Sequence, residues 1–258
     1  MVARSARHGL TLLELVVVIA ILATLAGLVV GKIDWTRRQA DMATSADTCV
    51  EIGKNIQMYL NEIGELPNGM DSLLASNAKG ATPSAMYSKI VASSPDMTAM
   101  CTMQSIPANS STDGRMGSLM RIGLATVFDH DESSTDAPNS AVFRRDLVRS
   151  AANNFFTVTP GSALWTQIYP VDGYNTETDE SKVSLVVLGI GPRCSMIGKT
   201  MVNAPQYPHA NPSEAYYRYM AVFAAYTDGR RAQFKAVVDA YGRGVPSALS
   251  NFYSSTPE

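Results

Sequence analysis

Apolar positions along the chain fall into three regimes. From Leu10 to Val30 the sequence LTLLELVVVIAILATLAGLVV is apolar almost without interruption, 21 residues whose only charge is Glu14. As a helix, such a run matches the roughly 30 Å hydrocarbon core of a bilayer. From Lys32 to Ile63 no proline occurs, and Ala43, Ala46, Val50, Gly53, Ile56, Leu60 and Ile63 recur at spacings of three and four. Asp41, Asp47, Glu51 and Lys54 fall on the opposite face. This pattern predicts one helix from about Leu12 to Leu60, on the order of 70–75 Å long, bare in its first half and packed along a stripe in its second. Gly27 and Gly31 weaken the junction between the halves. Gly64 and Pro67 stop the helix.

Beyond Pro67 the pattern is less regular. A loop followed by a short helix is expected through Leu73 and Leu74. Two further short helices are read at Pro83 to Val91, capped by Thr82, and at Ser140 to Ala152. In the second, Val142, Phe143, Leu147, Val148 and Ala151 share a side. The Ser/Asp-rich stretches 93–117 and 129–139 read as surface loops. The last third is strand-like, with β-branched runs at Phe155–Thr159 and Lys182–Ile190. The sequence Thr227-Asp228-Gly229-Arg230 predicts a two-residue type I′ hairpin turn. In that register Tyr219, Ala221, Phe223 and Ala225 share a face with Ala232, Phe234, Ala236 and Val238. Arg218, Arg231, Gln233 and Lys235 fall on the other. The expectation is an antiparallel sheet with one covered face, the spine helix supplying the cover.

Composition narrows the class further. The 258 residues are 46% hydrophobic and 17% charged with a net charge of −2, a globular composition with no basic surface for nucleic acid. Cys49, Cys101 and Cys194 are far apart and form no zinc-type pattern. Cys101 with Cys194 is the better disulfide candidate, because Cys49 sits on the predicted long helix. Catalytic constellations are not supported. The histidines His130 and His209 accompany no GxSxG elbow, and Gly189-Ile190-Gly191 lacks the rest of a dinucleotide loop. The tyrosines at 216, 217, 219 and 226 read as sheet packing and surface rim.

The N-terminal run admits three readings. A cleaved secretory signal would be shorter and would end in small residues. A plain single-pass anchor accounts for the length, and Arg4, Arg7 and His8 would hold the short N-terminal side in the cytoplasm. It gives no reason for Glu14, which costs about 2.5–3.5 kcal/mol at the centre of a spanning helix and less near its end. The third reading covers the whole pattern. The string Gly9-Leu10-Thr11-Leu12-Leu13-Glu14, followed by Leu15-Val16-Val17-Val18-Ile19-Ala20-Ile21, closely resembles the signal of type IV pilins and type II secretion pseudopilins.

That resemblance implies cleavage after Gly9 by a prepilin peptidase, N-methylation on Leu10 by the same enzyme, and an assembly role for Glu14 at the fifth mature position. Leucine stands at position 10 where the family often has phenylalanine. It implies an α+β pilin-like fold: leader 1–9, membrane and filament-core helix 10–31, and a head 32–258 built on the rest of the spine helix. The expected product is a bacterial inner-membrane protein with an exported head. Its partners are the peptidase, an inner-membrane assembly platform, lipid before assembly, and copies of itself in a helical filament. The alternatives are a minor, tip-located binding module or the plain anchor. The passage from Tyr59 through Gly64, Pro67 and Leu73-Leu74 resembles secretion-type major pseudopilins. Those proteins carry a calcium site in a loop near the C-terminal sheet, which makes Asp172, Asn175, Glu177 and Asp179 candidate Ca²⁺ ligands. Asp129, Asp131, Glu132 and Asp136 form a second acidic cluster. No other cofactor and no enzymatic activity is expected.

Overall fold

A computed structural model describes residues 12–75, 83, 87–88, 100–130, 142–169, 182–210 and 215–246. The chain divides between Asp41 and Met42 into two units. Helix α1 spans Leu12–Ile63 and runs through both. It ends where the sequence indicates. The Gly64 amide donates to the Leu60 carbonyl at 2.8 Å with Gly64 at φ +81°, a left-handed cap.

In the second unit α1 buries Ser45, Ala46, Cys49, Ile52, Ile56 and Tyr59. The stripe is therefore rotated from the expected one, since Val50 and Ile63 are exposed. The choice favours the larger side chains, Ile52 and Tyr59, whose burial contributes more than that of Val50. Two polar ties fix this half of the helix to the head. Ser45 donates to buried Asp239 at 3.4 Å, and Tyr59 donates to Ser195 at 3.0 Å.

Among the described residues the sheet has eight strands: β1 (Met70–Ala75), β2 (Cys101–Ile106), β3 (Thr126–His130), β4 (Val142–Asp146), β5 (Asn153–Val158), β6 (Val183–Gly189), β7 (Met220–Tyr226) and β8 (Gln233–Val238). Short helices α2 (Arg115–Met120) and α3 (Ala163–Ile168) complete it. Strand β6 is the branch point. On one side β7 pairs along its length; on the other, β5 pairs at Val186 and Val187 and β1 at Gly189. The order is β2-β5-β6-β1-β3-β4, with β7 and β8 attached through β6. The fold is α+β as expected, but the sheet is mixed, because β1 and β3 run parallel.

Both faces of the sheet are covered, where one was expected. One cluster packs Cys49, Ile52, Ile56 and Tyr59 of α1 and Met116 and Leu119 of α2 against Val186, Leu188, Ala221 and Phe223. The other packs Leu164 and Trp165 of α3, with Tyr87, against Leu185, Val187, Val222 and Ala224. Burial on both sides explains why β6 and β7 read as continuous apolar runs. Tyr216, Tyr219 and Tyr226 are buried in this core, and Tyr217 is half-buried.

Four local expectations are corrected. The segment read as a helix over Ser140 to Ala152 contains strand β4, paired antiparallel to β3 from Thr126↔Asp146 to His130↔Val142. Pairing with β3 and a 2.9 Å ion pair from Arg145 to Asp129 override the helical spacing. The stretch 93–117, read as loop, contains β2 and the start of α2; the Leu73-Leu74 passage is β1. The β7–β8 connection is wider than a two-residue turn. Thr227 and Asp228 have no positive φ, and Gly229 follows at φ +73°. The reason is α2. The amides of Tyr226 and Ala232 donate to Ser118, and that of Gly114 donates to the Thr227 carbonyl. Pairs Phe223↔Phe234 and Ala224↔Gln233 keep the expected register, but a bulge then shifts the rest to Val222↔Ala236 and Ala221↔Val237. Val237 thereby takes the helix-facing side, and Ala236 and Val238 turn to the opposite one.

Candidate membrane and assembly surface

The first unit presents an apolar surface that remains exposed among the described residues. In α1 the large apolar side chains from Leu12 to Val29 are all exposed among those described, from 48% at Val18 to 81% at Leu12. Burying a side chain of this size contributes about 1.5–3 kcal/mol. Leaving this many in water costs on the order of 10 kcal/mol or more, so the surface requires lipid or other helices. The helix is long and apolar enough to cross a membrane, near the N-terminus and with none of its apolar window buried. Its backbone hydrogen bonds close internally, as hydrocarbon demands. The one hydroxyl in the described window is also satisfied, Thr24 donating to the Ile21 carbonyl at 2.8 Å.

Glu14 lies in the first turn of α1 and is exposed. A carboxylate there faces the positive end of the helix dipole, a favourable placement. Gly9 and Leu10 lie outside the described residues. So do Asp172, Asn175, Glu177 and Asp179, and, of the second acidic cluster, Asp131, Glu132 and Asp136. Among the described residues no three His, Cys, Asp or Glu side chains are grouped to hold a metal.

The head contains a buried polar cluster that sequence reasoning missed. Asp71, Ser72, Asp129 and His130 are each at most 6% exposed. Tyr216 donates to Asp71 Oδ2 at 2.8 Å, and His130 Nε2 lies 3.7 Å from the same oxygen. Burial, with the Asp71 carboxylate beside it, holds the Tyr216 hydroxyl well above the usual phenol range, so it stays a donor. Ser72 donates to Asp129, which Arg145 also grips. Ser72 thus turns to Asp129, and neither ring nitrogen of His130 has a hydrogen-bond partner among the described residues. Among the described residues Ser72 and His130 therefore form no relay. Glycines provide the room. A Cβ at Gly191 would stand 2.1 Å from Asp71 Oδ2, and one at Gly189 1.9 Å from the Tyr216 hydroxyl. The Gly189-Ile190-Gly191 string was the available signal, and its role is packing.

Cys49, Cys101 and Cys194 are buried free cysteines. Cys194 packs in the helix-facing cluster and Cys101 in the opposite one, so the bridge expected between them is not formed. Burial pushes each thiol up to about 12; at Cys49 the carboxylate of Asp239 adds to it, and at Cys194 that of Asp71. At about pH 8 the folded chain is therefore expected to resist a thiolate-selective maleimide, while all three thiols react in denaturant. Groups held protonated in the fold favour it most below their ordinary value near 8.5. Stability should accordingly fall as pH rises above that value, readable as a declining denaturation midpoint.

No curated protein and no solved structure matches the chain. One family description does match, the prokaryotic N-terminal methylation motif, over residues 4–30. That stretch contains Gly9, Leu10 and Glu14 and nearly all of the exposed apolar helix. The chain thus carries, at the start of its exposed apolar helix, the methylation motif that marks type IV pilins and pseudopilins, on a helix long and apolar enough to cross a membrane.

Proposed function

We propose that the protein is a structural subunit of a type IV pilus-like or type II secretion pseudopilus filament. A prepilin peptidase cuts after Gly9 and methylates the new amine on Leu10. The chain then waits in the inner membrane with its head exported. The observation that carries this reading is the coincidence of the methylation motif with the uncovered apolar half of α1. Such a surface is stable in lipid and equally stable against identical helices, so extraction into a filament exchanges one apolar cover for another. Glu14 gives the exchange its register, because a carboxylate in an apolar bundle is costly unless paired. The Leu10 amine of a neighbouring subunit is the complementary charge created by cleavage.

Intact-mass analysis of the protein from cells with an active prepilin peptidase tests this directly. The expected species begins at Leu10 and carries one added methyl group. A chain that retains residues 1–9 under those conditions would refute it. The subunit's share of purified filaments then separates a main building block from a tip component.

A further inference from the structure

Just past the apolar run, α1 carries Lys32, Trp35, Arg37 and Arg38 within two turns, three cations against the single acid Asp34. Lys32, Arg37 and Arg38 are exposed and make no ion pair among the described residues. Lys32 and Arg37 flank a groove of about 470 Å³ whose floor is Val29, Ile33 and Ala40. Thr36 in this groove spends its hydroxyl on the Lys32 carbonyl at 2.9 Å, which leaves the cations as the polar groups on offer.

Their position is unusual for a spanning helix with an exported head. Lysine and arginine are favoured on the retained side, yet only Arg4 and Arg7 stand there, against these three on the other. The surplus works against the orientation signal, so it calls for a use after insertion. Depth supplies one. Leu12 to Gly31 fills the hydrocarbon as a helix, and a headgroup layer adds about 5–7 Å on each side. Lys32 to Thr36 then lie among the headgroups, and Arg37 and Arg38 reach back on long stems. Trp35 occupies the level at which indole rings collect.

Resting on the membrane reading above, we propose that Lys32, Arg37 and Arg38 form a collar that binds the phosphates of anionic phospholipids in the leaflet facing the head. The apolar floor of the groove takes the start of an acyl chain. The collar fixes the depth of the waiting subunit and must be released on assembly.

The full chain is tested in phosphatidylcholine vesicles with and without phosphatidylglycerol, in a Trp165→Phe background that leaves Trp35 as the sole tryptophan. Energy transfer from Trp35 to trace dansyl-phosphatidylglycerol is compared with transfer to dansyl-phosphatidylcholine. The anionic label should be enriched roughly threefold or more. The preference should weaken with salt and vanish in the triple variant Lys32→Gln, Arg37→Gln, Arg38→Gln. Equal transfer to both labels, or a preference unchanged in the triple variant, overturns the collar. So does a triple variant that loses only self-association, which would assign the cations to a second copy. A chain that does not float with vesicles overturns the membrane reading itself, and the two failures are thus distinct.

Discussion

Replacing Gly191 with alanine is expected to destabilise the head by about 2–5 kcal/mol. The new Cβ would stand 2.1 Å from Asp71 Oδ2 and 2.6 Å from its Cγ, distances that no packed carbon tolerates. Asp71 cannot yield cheaply. It is buried, and its carboxylate holds the Tyr216 hydroxyl at 2.8 Å with His130 behind it. If the carboxylate swings away, two further buried polar groups lose the oxygen they face. The total thus combines an overpacking cost with that of an orphaned polar group. Gly189→Ala squeezes the same pair from the Tyr216 side and should behave alike, while the double variant should cost less than the sum because both disrupt one contact. Gly53→Ala provides the opposite sign. It lies mid-helix with nothing within 4 Å of an added Cβ, so helix propensity alone predicts a gain of up to about 1 kcal/mol. Urea denaturation of the detergent-solubilised chain reads all four. A Gly191→Ala midpoint equal to that of the parent would show that the cluster yields freely and does not brace the sheet.

The Gly191 case also shows why some of this fold was legible in the sequence and some was not. Features set by neighbours in the chain were readable. The spine helix, its Gly64 and Pro67 stop, strands β5, β6 and β7, and the processing motif with Glu14 are all written in runs of adjacent residues. Features set by distant partners were hidden. Strand β1 contains Asp71 and Ser72, which look like loop residues until Tyr216 and Asp129 arrive from elsewhere in the chain. The segment holding β4 spaces Val142, Phe143, Leu147 and Val148 as a helix would, and only pairing with β3 and the Arg145–Asp129 contact resolve it. Strand β2 is exposed along its middle, where Thr102, Gln104 and Ser105 leave only Met103 apolar, so its apolar signal is weak. The β7–β8 connection followed its turn residues only until α2 took up the amides of Tyr226 and Ala232.

Glu14→Ala is expected to leave synthesis, insertion and cleavage intact and to abolish filaments. Insertion should not suffer, because the substitution removes the only charge in the apolar run and with it a desolvation cost. The proposed cleavage after Gly9 lies several residues away, and alanine at position 14 keeps the helix that begins at Leu12. Assembly into the proposed filament is different, since it would bury the amine that cleavage frees on Leu10 among apolar helices. With Glu14 present, amine and carboxylate offset each other's desolvation. Without it, each subunit joins with an uncompensated buried charge, a penalty of about 3–5 kcal/mol. Every 1.4 kcal/mol is tenfold in association, so the subunit contact weakens by roughly 10²–10³ or more. Repeated at each addition, that loss takes the filament below any practical subunit concentration in the membrane. Glu14→Gln should fail nearly as badly, because it keeps shape and hydrogen bonding but not charge, whereas Glu14→Asp should retain part of the assembly. Sheared-filament yield, read against membrane-fraction abundance and the mass of the mature N-terminus, separates these steps. Abundant filaments from Glu14→Ala with correctly processed chains would remove the charge pair from the account and leave apolar packing of α1 as the sole source of register.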